Sequence, residues 1–227
     1  MNRIFFVLFL VAISARTEAQ INELGIFAGG SNYIGDIGPT TYIAPDDLAV
    51  GIIYKWNKSP RHAYRFSFIY ADIASRDIDS DMSGRQQRGY EFENTIKELS
   101  AGLEFSFFDF NLHEPDLKIT PYVYSGVSYF WYDEQYISNG TTFTEDTRGG
   151  LAIPMVVGIK TNVLQNFIIG IEAGARYTFT DNLDGSYPDN DTFESLRFGN
   201  LESKDWYVFT GFTLTYTFGI KPCYCAE

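Results

Sequence analysis

Cysteine, histidine and basic side chains are scarce in this chain. Of its 227 residues two are Cys and two are His, and 17 Lys and Arg stand against 29 Asp and Glu, for a net charge of -12. Both cysteines, Cys223 and Cys225, lie in the C-terminal tail, which excludes a disulfide framework and a four-cysteine zinc site for the body of the protein. The acidic balance leaves no basic stripe to neutralise phosphates, so nucleic acid is not an expected partner.

Long apolar runs are lacking as well, apart from one at the N-terminus. A positively charged start, an apolar run over residues 4–13 and the small residue Ala19 predict a signal peptide over residues 1–19. No Cys follows the apolar run, so lipoprotein processing is not supported, and no later segment reaches the roughly 18 apolar residues of a transmembrane helix. Aromatic residues make up 17% of the chain. An exported, aromatic-rich chain of this kind is either a secreted β-sandwich or an outer-membrane barrel.

The stretch from Ile96 to Tyr132 shows the strand periodicity most clearly. Side chains alternate between an apolar and a polar face with a period of two, which predicts β-strands. The apolar face is almost unbroken over about ten residues, the length of a tilted strand that crosses the hydrocarbon core of a bilayer. In the first arm the apolar face carries Lys97, Leu99, Ala101, Leu103, Phe105 and Phe107, and the polar face carries Glu98, Ser100, Gly102, Glu104 and Ser106.

The rest of the chain repeats this pattern often enough to predict eight strands. Their connections alternate between long and short, including long loops over residues 76–95, 133–150 and 181–205. In a β-sandwich the lengths of successive connections are not expected to alternate, whereas outer-membrane barrels have long external loops and short periplasmic turns. We therefore predict an eight-stranded antiparallel transmembrane β-barrel over residues 20–220, with both termini in the periplasm and a periplasmic tail over residues 221–227. The predicted strands cover residues 22–30, 48–56, 63–75, 96–108, 118–132, 151–162, 166–180 and 206–218.

The polar faces of these strands predict the content of the lumen. Eight strands leave an interior that side chains just fill, so the lumen should hold an interlocking polar core with no pore. Buried charges are tolerated when they are paired, which makes a scaffold role the preferred interpretation over a transport role. The predicted core contains Lys55, Arg65, Glu98, Glu104, Lys160, Glu172 and Arg176.

Tryptophan occurs three times, each time near a predicted strand end. Aromatic girdles mark the two membrane interfaces of outer-membrane barrels. An outward position at such an interface would explain the placement of all three tryptophans. We predict an interfacial girdle that contains Trp56, Trp131 and Trp206, with Tyr54, Tyr132 and Tyr207 beside them.

Signals for catalysis, metals and cofactors are weak. A hydrolase acting at the external leaflet would need a His base, but His62 and His113 both lie at predicted periplasmic turns. The acidic run over residues 181–185, followed by Asp189 and Asp191, does not have the spacing of an EF-hand. We interpret its carboxylates as solvated loop groups and predict a protein that is not an enzyme and holds no metal or cofactor.

Four segments resemble the PorG-like outer-membrane proteins of Bacteroidota. They are residues 29–40 (GGSNYIGDIGPT), 54–57 (YKWN), 101–108 (AGLEFSFF) and 178–184 (TFTDNLD), and the similarity extends over most of the mature chain. The resemblance implies an eight-stranded barrel associated with the type IX secretion system, whose namesake contacts a periplasmic ring built from a lipoprotein and its partner. It leaves open whether the chain is a secretion component, a gliding-motility accessory or a relative with its own partner. A small-molecule binding or transport barrel is the alternative.

The tail combines Cys223 and Cys225 with a predicted periplasmic location. The periplasm is oxidising, so two free thiols are not expected to persist there. Residues two apart in an extended chain lie near the upper distance limit for a disulfide, and such a bridge would be strained and easily exchanged. Two alternatives stay open, a strained internal bridge and a disulfide that tethers the barrel to a periplasmic partner.

Overall fold

The computed structural model describes residues 21–112, 116–164, 166–200 and 202–219, and these form one closed barrel. Each strand pairs antiparallel with its sequence neighbour, and β1 pairs with β8 from Asn22↔Phe218 to Ile34↔Trp206 to close the sheet. The prediction of an eight-stranded antiparallel barrel is therefore confirmed. Its strands are β1 (Ile21–Ile34), β2 (Asp47–Asn57), β3 (His62–Arg76), β4 (Glu91–Ser106), β5 (Ile119–Ser138), β6 (Thr141–Leu164), β7 (Phe167–Thr178) and β8 (Trp206–Phe218).

The connections divide the barrel into two ends. We call the end with residues 35–46, 77–90 and 179–205 the loop end and the opposite end, with residues 58–61 and 107–118, the turn end. The loop end carries the helical turns Asp77–Asp79 and Asp191–Leu196 and one short α-helix, α1 (Ser83–Arg88). None of the helices within the described residues is long and apolar enough to cross a membrane.

Two predicted loops are shorter than the sequence pattern indicated. Residues 133–150 are not a loop, because β5 and β6 continue as a paired ladder up to Ser138↔Thr141. The turn consists of Asn139 and Gly140, whose φ angles of 52° and 77° suit the two-residue turn that joins twisted antiparallel strands. Residues 91–95 also belong to a strand, because β4 pairs with β3 as far as Arg76↔Glu91.

The strands alternate between an exposed apolar face and a buried face. In β6 the residues from Leu151 to Ile159 present five exposed apolar side chains over nine positions, close to the length that crosses a bilayer core. Soluble monomers rarely expose apolar patches of more than a few hundred Å². The outer band also includes Leu24, Ile26, Val50, Ile52, Phe66, Phe68, Leu99, Leu103, Val127, Ile169, Ile171, Phe212 and Leu214.

Paired glycines allow two neighbouring strands of the barrel to lie close together. Gly102 of β4 pairs with Gly126 of β5, and a Cβ on Gly102 would lie 2.2 Å from the Ser125 carbonyl oxygen and 2.8 Å from the Gly126 Cα. Any side chain at this position would displace the neighbouring backbone.

Candidate functional site

The interior of the barrel brings together all seven charged residues that the sequence places in the lumen. They come from β2, β3, β4, β6 and β7, and each is at least 95% buried. Each sits at an inward position of the strand alternation, which is why a strand pattern could locate it. The residues are Lys55, Arg65, Glu98, Glu104, Lys160, Glu172 and Arg176.

Glu104 lies at the centre of a group of paired charges near the turn end, which we call the ionic layer. The Nζ atoms of Lys55 and Lys160 each lie 2.7 Å from one of its carboxylate oxygens, and Nη1 of Arg65 lies 3.7 Å away. Arg65 in turn makes a two-pronged contact with Glu172, with both N–O distances at 2.7 Å. Such paired geometry is what allows charges to remain in an interior from which water is largely excluded.

A second ion pair lies closer to the loop end. Nε of Arg176 donates to Glu98 at 3.3 Å, and the Tyr207 hydroxyl donates to the same carboxylate at 2.7 Å. The Arg176 guanidinium also lies over the Phe209 ring, 4.2 Å from its centroid. The Arg176–Glu98 pair therefore connects the ionic layer to aromatic side chains that lie nearer the loop end.

Two kinds of lumen residue were missed at the level of the sequence. Glu23 is fully buried and bonds to Asn57 and Thr215, at 2.8 Å in both cases. It lies on the face opposite Leu24, so strand parity alone could have found it. With Glu23 included, four carboxylates balance four cations. The other omission is the inward tyrosines, among them Tyr122, whose hydroxyl donates to Glu172 at 2.5 Å.

Both ends of the interior are covered by apolar side chains. At the loop end, Ile37 and Leu183 are fully buried against the aromatic layer that contains Phe27 and Phe130. At the turn end, Phe110 is 95% buried and its ring centroid lies 5.0 Å from Nζ of Lys160. The described side chains thus form a column that is apolar at both ends and ionic in between.

The loop end buries carboxylates that the sequence pattern presented as solvated. Asp181 and Asp184 are 96% and 100% buried, so that interpretation is wrong for these two, whereas Asp189 and Asp191 are exposed as expected. Burial and the neighbouring carboxylates Asp36 and Asp184 raise the pKa of Asp181 to about 6, against an opposing effect of Lys204. Among the described residues no group of three His, Cys, Asp or Glu side chains is placed to hold a metal ion.

The pKa values of the buried carboxylates Asp205 and Asp77 shift in opposite directions because their hydrogen-bond partners differ. Burial and the charge of Asp184 raise the pKa of Asp205, which accepts a hydrogen bond from the Tyr33 hydroxyl. Burial would also raise the pKa of Asp77, but hydrogen bonds from Arg88, from the Gly38 N–H and from Tyr90 outweigh it and lower the pKa. Arg88 Nε donates to Asp77 at 2.6 Å within the loop over residues 77–90. The Gly38 N–H donates to Asp77 at 3.0 Å and Arg88 Nη2 donates to the Asp36 carbonyl at 2.7 Å, so these two residues join that loop to residues 35–46.

The three tryptophans occupy outward positions near both ends of the barrel. Trp56 lies near the turn end and stacks beside Tyr64, whereas Trp131 and Trp206 lie nearer the loop end. The tyrosines adjacent to the last two do not belong to the outer surface. Tyr132 and Tyr207 are at least 97% buried and point inward, because successive residues of a strand face opposite sides.

Several predicted features lie outside the described residues. These are the signal peptide over residues 1–19, His113, and the tail with Cys223 and Cys225. His62 is the first residue of β3, and its Nδ1 is 3.1 Å from the hydroxyl of Ser59 in the preceding turn. That hydroxyl oxygen accepts hydrogen bonds from the backbone N–H of Arg61 and of His62, so it caps a local turn.

Comparisons with known proteins show the family of this chain. A family model described as "Domain of unknown function (DUF6089)" matches residues 2–227. No curated protein matches the chain.

Solved structures with a similar chain trace include three bacterial surface proteins. Ail of Yersinia pestis, in complex with the heparin analogue sucrose octasulfate, is 12% identical, with a TM-score of 0.47 and coverage of 88% of this chain and 100% of that chain. The N-terminal barrel domain of Pseudomonas aeruginosa OprF is 10% identical, with a TM-score of 0.43 and coverage of 89% and 100%. Neisserial surface protein A is 9% identical, with a TM-score of 0.42 and coverage of 88% and 96%. At such identities and TM-scores the likeness says nothing about what this chain binds.

Proposed function

The chain belongs to the DUF6089 family, whose description names no activity, and we propose that it is a non-enzymatic, non-conducting outer-membrane barrel that anchors periplasmic machinery of the type IX secretion system. The observation that carries this proposal is the combination of an apolar outer band with an interior that neutralises its own charges. In a barrel of this kind the interior side chains stabilise the fold, and the two ends are the surfaces available for interaction.

Outer-membrane lipids are the first proposed partner. The exposed apolar side chains of all eight strands form a band that would be unfavourable in water and is favourable against acyl chains. Membrane fractionation of cells that express the full chain tests this assignment. Recovery in the soluble periplasmic fraction would refute it.

The absence of conduction follows from the filling of the interior. Glu104 is in contact with three cations, and Phe110 and Leu183 cover the two ends of the column. Ion passage would require these pairs to separate in a medium where separated charges are costly. Purified protein in planar bilayers should give no steady single-channel current. Such currents would favour the alternative, a barrel for transport of small molecules.

The turn end is the surface that we assign to the secretion machinery. In the proposed orientation it faces the periplasm, and the segment over residues 107–118 exposes Phe108 and Leu117 by 61% and 70%. The resemblance to PorG-like proteins supplies the identity of the partner, a ring of a lipoprotein and its companion protein. A gliding-motility accessory is the second role that the same resemblance allows.

Crosslinking in native membranes tests the assignment of the partner. A Phe108→Ser, Leu117→Ser variant should lose most of the crosslinked ring proteins, whereas the matched loop-end variant Tyr42→Ser, Ile43→Ser should retain them. Capture of no secretion component above background with the wild-type chain would count decisively against the anchoring role.

A further inference from the structure

A large open cavity lies at the loop end, outside the barrel interior. It is a cleft of about 990 Å³ between the tip of the β5–β6 hairpin and the upper ends of β2, β3 and β4. This volume is at the upper end of the range for small-molecule sites. The cleft was not visible in the sequence, because residues 133–150 were expected to be a loop.

The cleft exists because two neighbouring strands separate before they end. The β3–β4 ladder continues to Arg76↔Glu91, but the β4–β5 ladder stops at Lys97↔Trp131. Above that level side chains take over the backbone hydrogen bonds of the missing ladder. The amide of Asn94 bonds to both the N–H and the carbonyl of Asp133, at 3.0 and 2.8 Å.

Two more side chains close the gap between the strands. Nε2 of Gln135 donates to the Glu93 carbonyl at 2.6 Å, and the Thr142 hydroxyl donates to the Glu91 carbonyl at 2.6 Å. These contacts hold both walls of the cleft in place without a ligand. A site with fixed walls loses little free energy to ordering when it binds.

The charge of the cleft is strongly negative. Five carboxylates line it, and its one basic residue, Arg76, already pairs with Asp79 at 2.9 Å. Among the described residues Asp46, Glu91 and Glu93 have no basic partner. The lining carboxylates are Asp46, Asp47, Asp79, Glu91 and Glu93.

A buried amide in the wall adds an observation that is independent of the charge. Gln135 is 96% buried, and its Oε1 accepts no hydrogen bond from any described residue. A buried amide oxygen without a donor is uncommon, because it loses the hydrogen bonds of water without replacement. An N–H donor supplied by a ligand in the cleft would satisfy it.

We propose that this cleft binds a ligand that carries two or more alkylammonium groups. The carboxylates are too dispersed for a single ion, since no three of the described acidic side chains are placed to hold a metal. Charges spread around a large cleft match a ligand whose positive groups are also separated. The hydroxyls of Thr141, Thr142 and Thr144 and the amide of Gln135 provide neutral partners between them. A free polyamine and the lysines of an extended peptide have the same chemistry.

Titration calorimetry on the full-length barrel in detergent tests the proposal with spermidine and with tetralysine. At physiological ionic strength at least one probe should bind saturably, and Glu91→Gln with Glu93→Gln should weaken it at least about tenfold through the loss of charge-assisted contacts. Both glutamates are exposed, so the variant should keep its fold, which heat-modifiable gel mobility checks. Tighter binding of spermidine would identify a free polyamine as the ligand, and tighter binding of tetralysine would identify a peptide.

Matched controls separate a site from general attraction to an acidic protein. The variant Glu194→Gln with Glu202→Gln removes the same charge outside the cleft and should leave the affinity unchanged. Binding should also protect the backbone amides of residues 91–95 from hydrogen exchange. Failure of both probes to bind saturably, equal weakening by the control variant, or equal displacement by calcium at matched ionic strength would each overturn the proposal.

Discussion

Replacing Glu104 with Leu should destabilise the barrel more than any other single loss of charge in the lumen. Glu104 is 99% buried and contacts Lys55, Lys160 and Arg65 at 2.7, 2.7 and 3.7 Å. Leu is similar in size but offers no acceptor. The two lysines would remain in the interior without a carboxylate, whereas Arg65 would keep Glu172.

The magnitude follows from what the substitution leaves behind. Removal of one partner from a buried ion pair costs about 3–5 kcal/mol, because the other charge stays desolvated and uncompensated. The free energy of unfolding should therefore fall by about 4 kcal/mol, at the middle of that range. For a chain of this length the melting temperature should drop by about 10 °C.

Thermal unfolding in detergent, followed by circular dichroism and by heat-modifiable gel mobility, measures the effect. Leu103→Gln is the matched control, because Leu103 is the adjacent residue on the outer face and carries no lumen contact. The second variant Glu104→Leu, Lys160→Leu removes one of the stranded cations and should recover about 1–2 kcal/mol.

Unfolding of Glu104→Leu at the wild-type temperature would refute the reasoning. It would mean that the interior lysines are hydrated or neutral, and that the ion pairs do not hold the lumen closed. Equal destabilisation by Leu103→Gln would indicate that the inner and outer faces are exchanged by one residue.

Three further predictions rest on the structure and a fourth on the two C-terminal cysteines. Because the pKa of Asp181 is raised to about 6, the folded loop binds a proton more tightly than the unfolded loop does. Hydrogen-exchange protection of residues 181–205 should therefore fall as pH rises from about 4 to 6 and stay low above pH 6. Asp181→Asn should weaken this dependence and raise protection at neutral pH, while Asp184 and Asp205, whose pKa values are also raised, keep part of it, and an unchanged pH profile would contradict the assignment. Leu103→Arg should cost about 2–4 kcal/mol if residue 103 faces mid-bilayer lipid, clearly more than Leu103→Gln, by urea titration in lipid vesicles. Gly140→Val should destabilise the hairpin tip by about 1 kcal/mol or more, because φ is positive there, and increased exchange confined to residues 133–148 would report it. On non-reducing gels of outer membranes, a covalent tether through Cys223 or Cys225 predicts a reductant-sensitive band that is lost when both are replaced by Ser, and a monomer band under all conditions rules the tether out.

Strand parity explains how much of the fold the sequence determines. A period of two assigns every residue of a strand to one of two faces, so Glu98, Glu104 and Glu172 could be placed inside without knowledge of their neighbours. The same rule shows why Tyr132 and Tyr207 face inward although they adjoin outward tryptophans. The number of strands follows similarly, since each apolar face of about ten residues is long enough for one crossing.

Which interior side chains contact one another depended on the closure of the sheet. Nothing local relates Arg65 of β3 to Glu172 of β7, which are 107 positions apart, and they meet only because the barrel closes and its opposite walls lie within reach of two long side chains. The hydrogen bonds of Glu23 to Asn57 of β2 and Thr215 of β8 likewise require the two neighbouring strands on either side of β1.

The loop end is where sequence and tertiary structure diverge most. The turn at Asn139 and Gly140 is a local signal that a sequence can carry, but polar residues beyond the membrane band show little periodicity to indicate a strand. Burial of Asp181 and the divergence of β4 from β5 depend on loops and strands that are distant in the chain packing over one barrel mouth. Composition, charge and alternation therefore determined the wall of this protein. Only three-dimensional proximity decided the pairing of its interior charges, the burial of Ile37 and Leu183 over the loop end, and the acidic cleft.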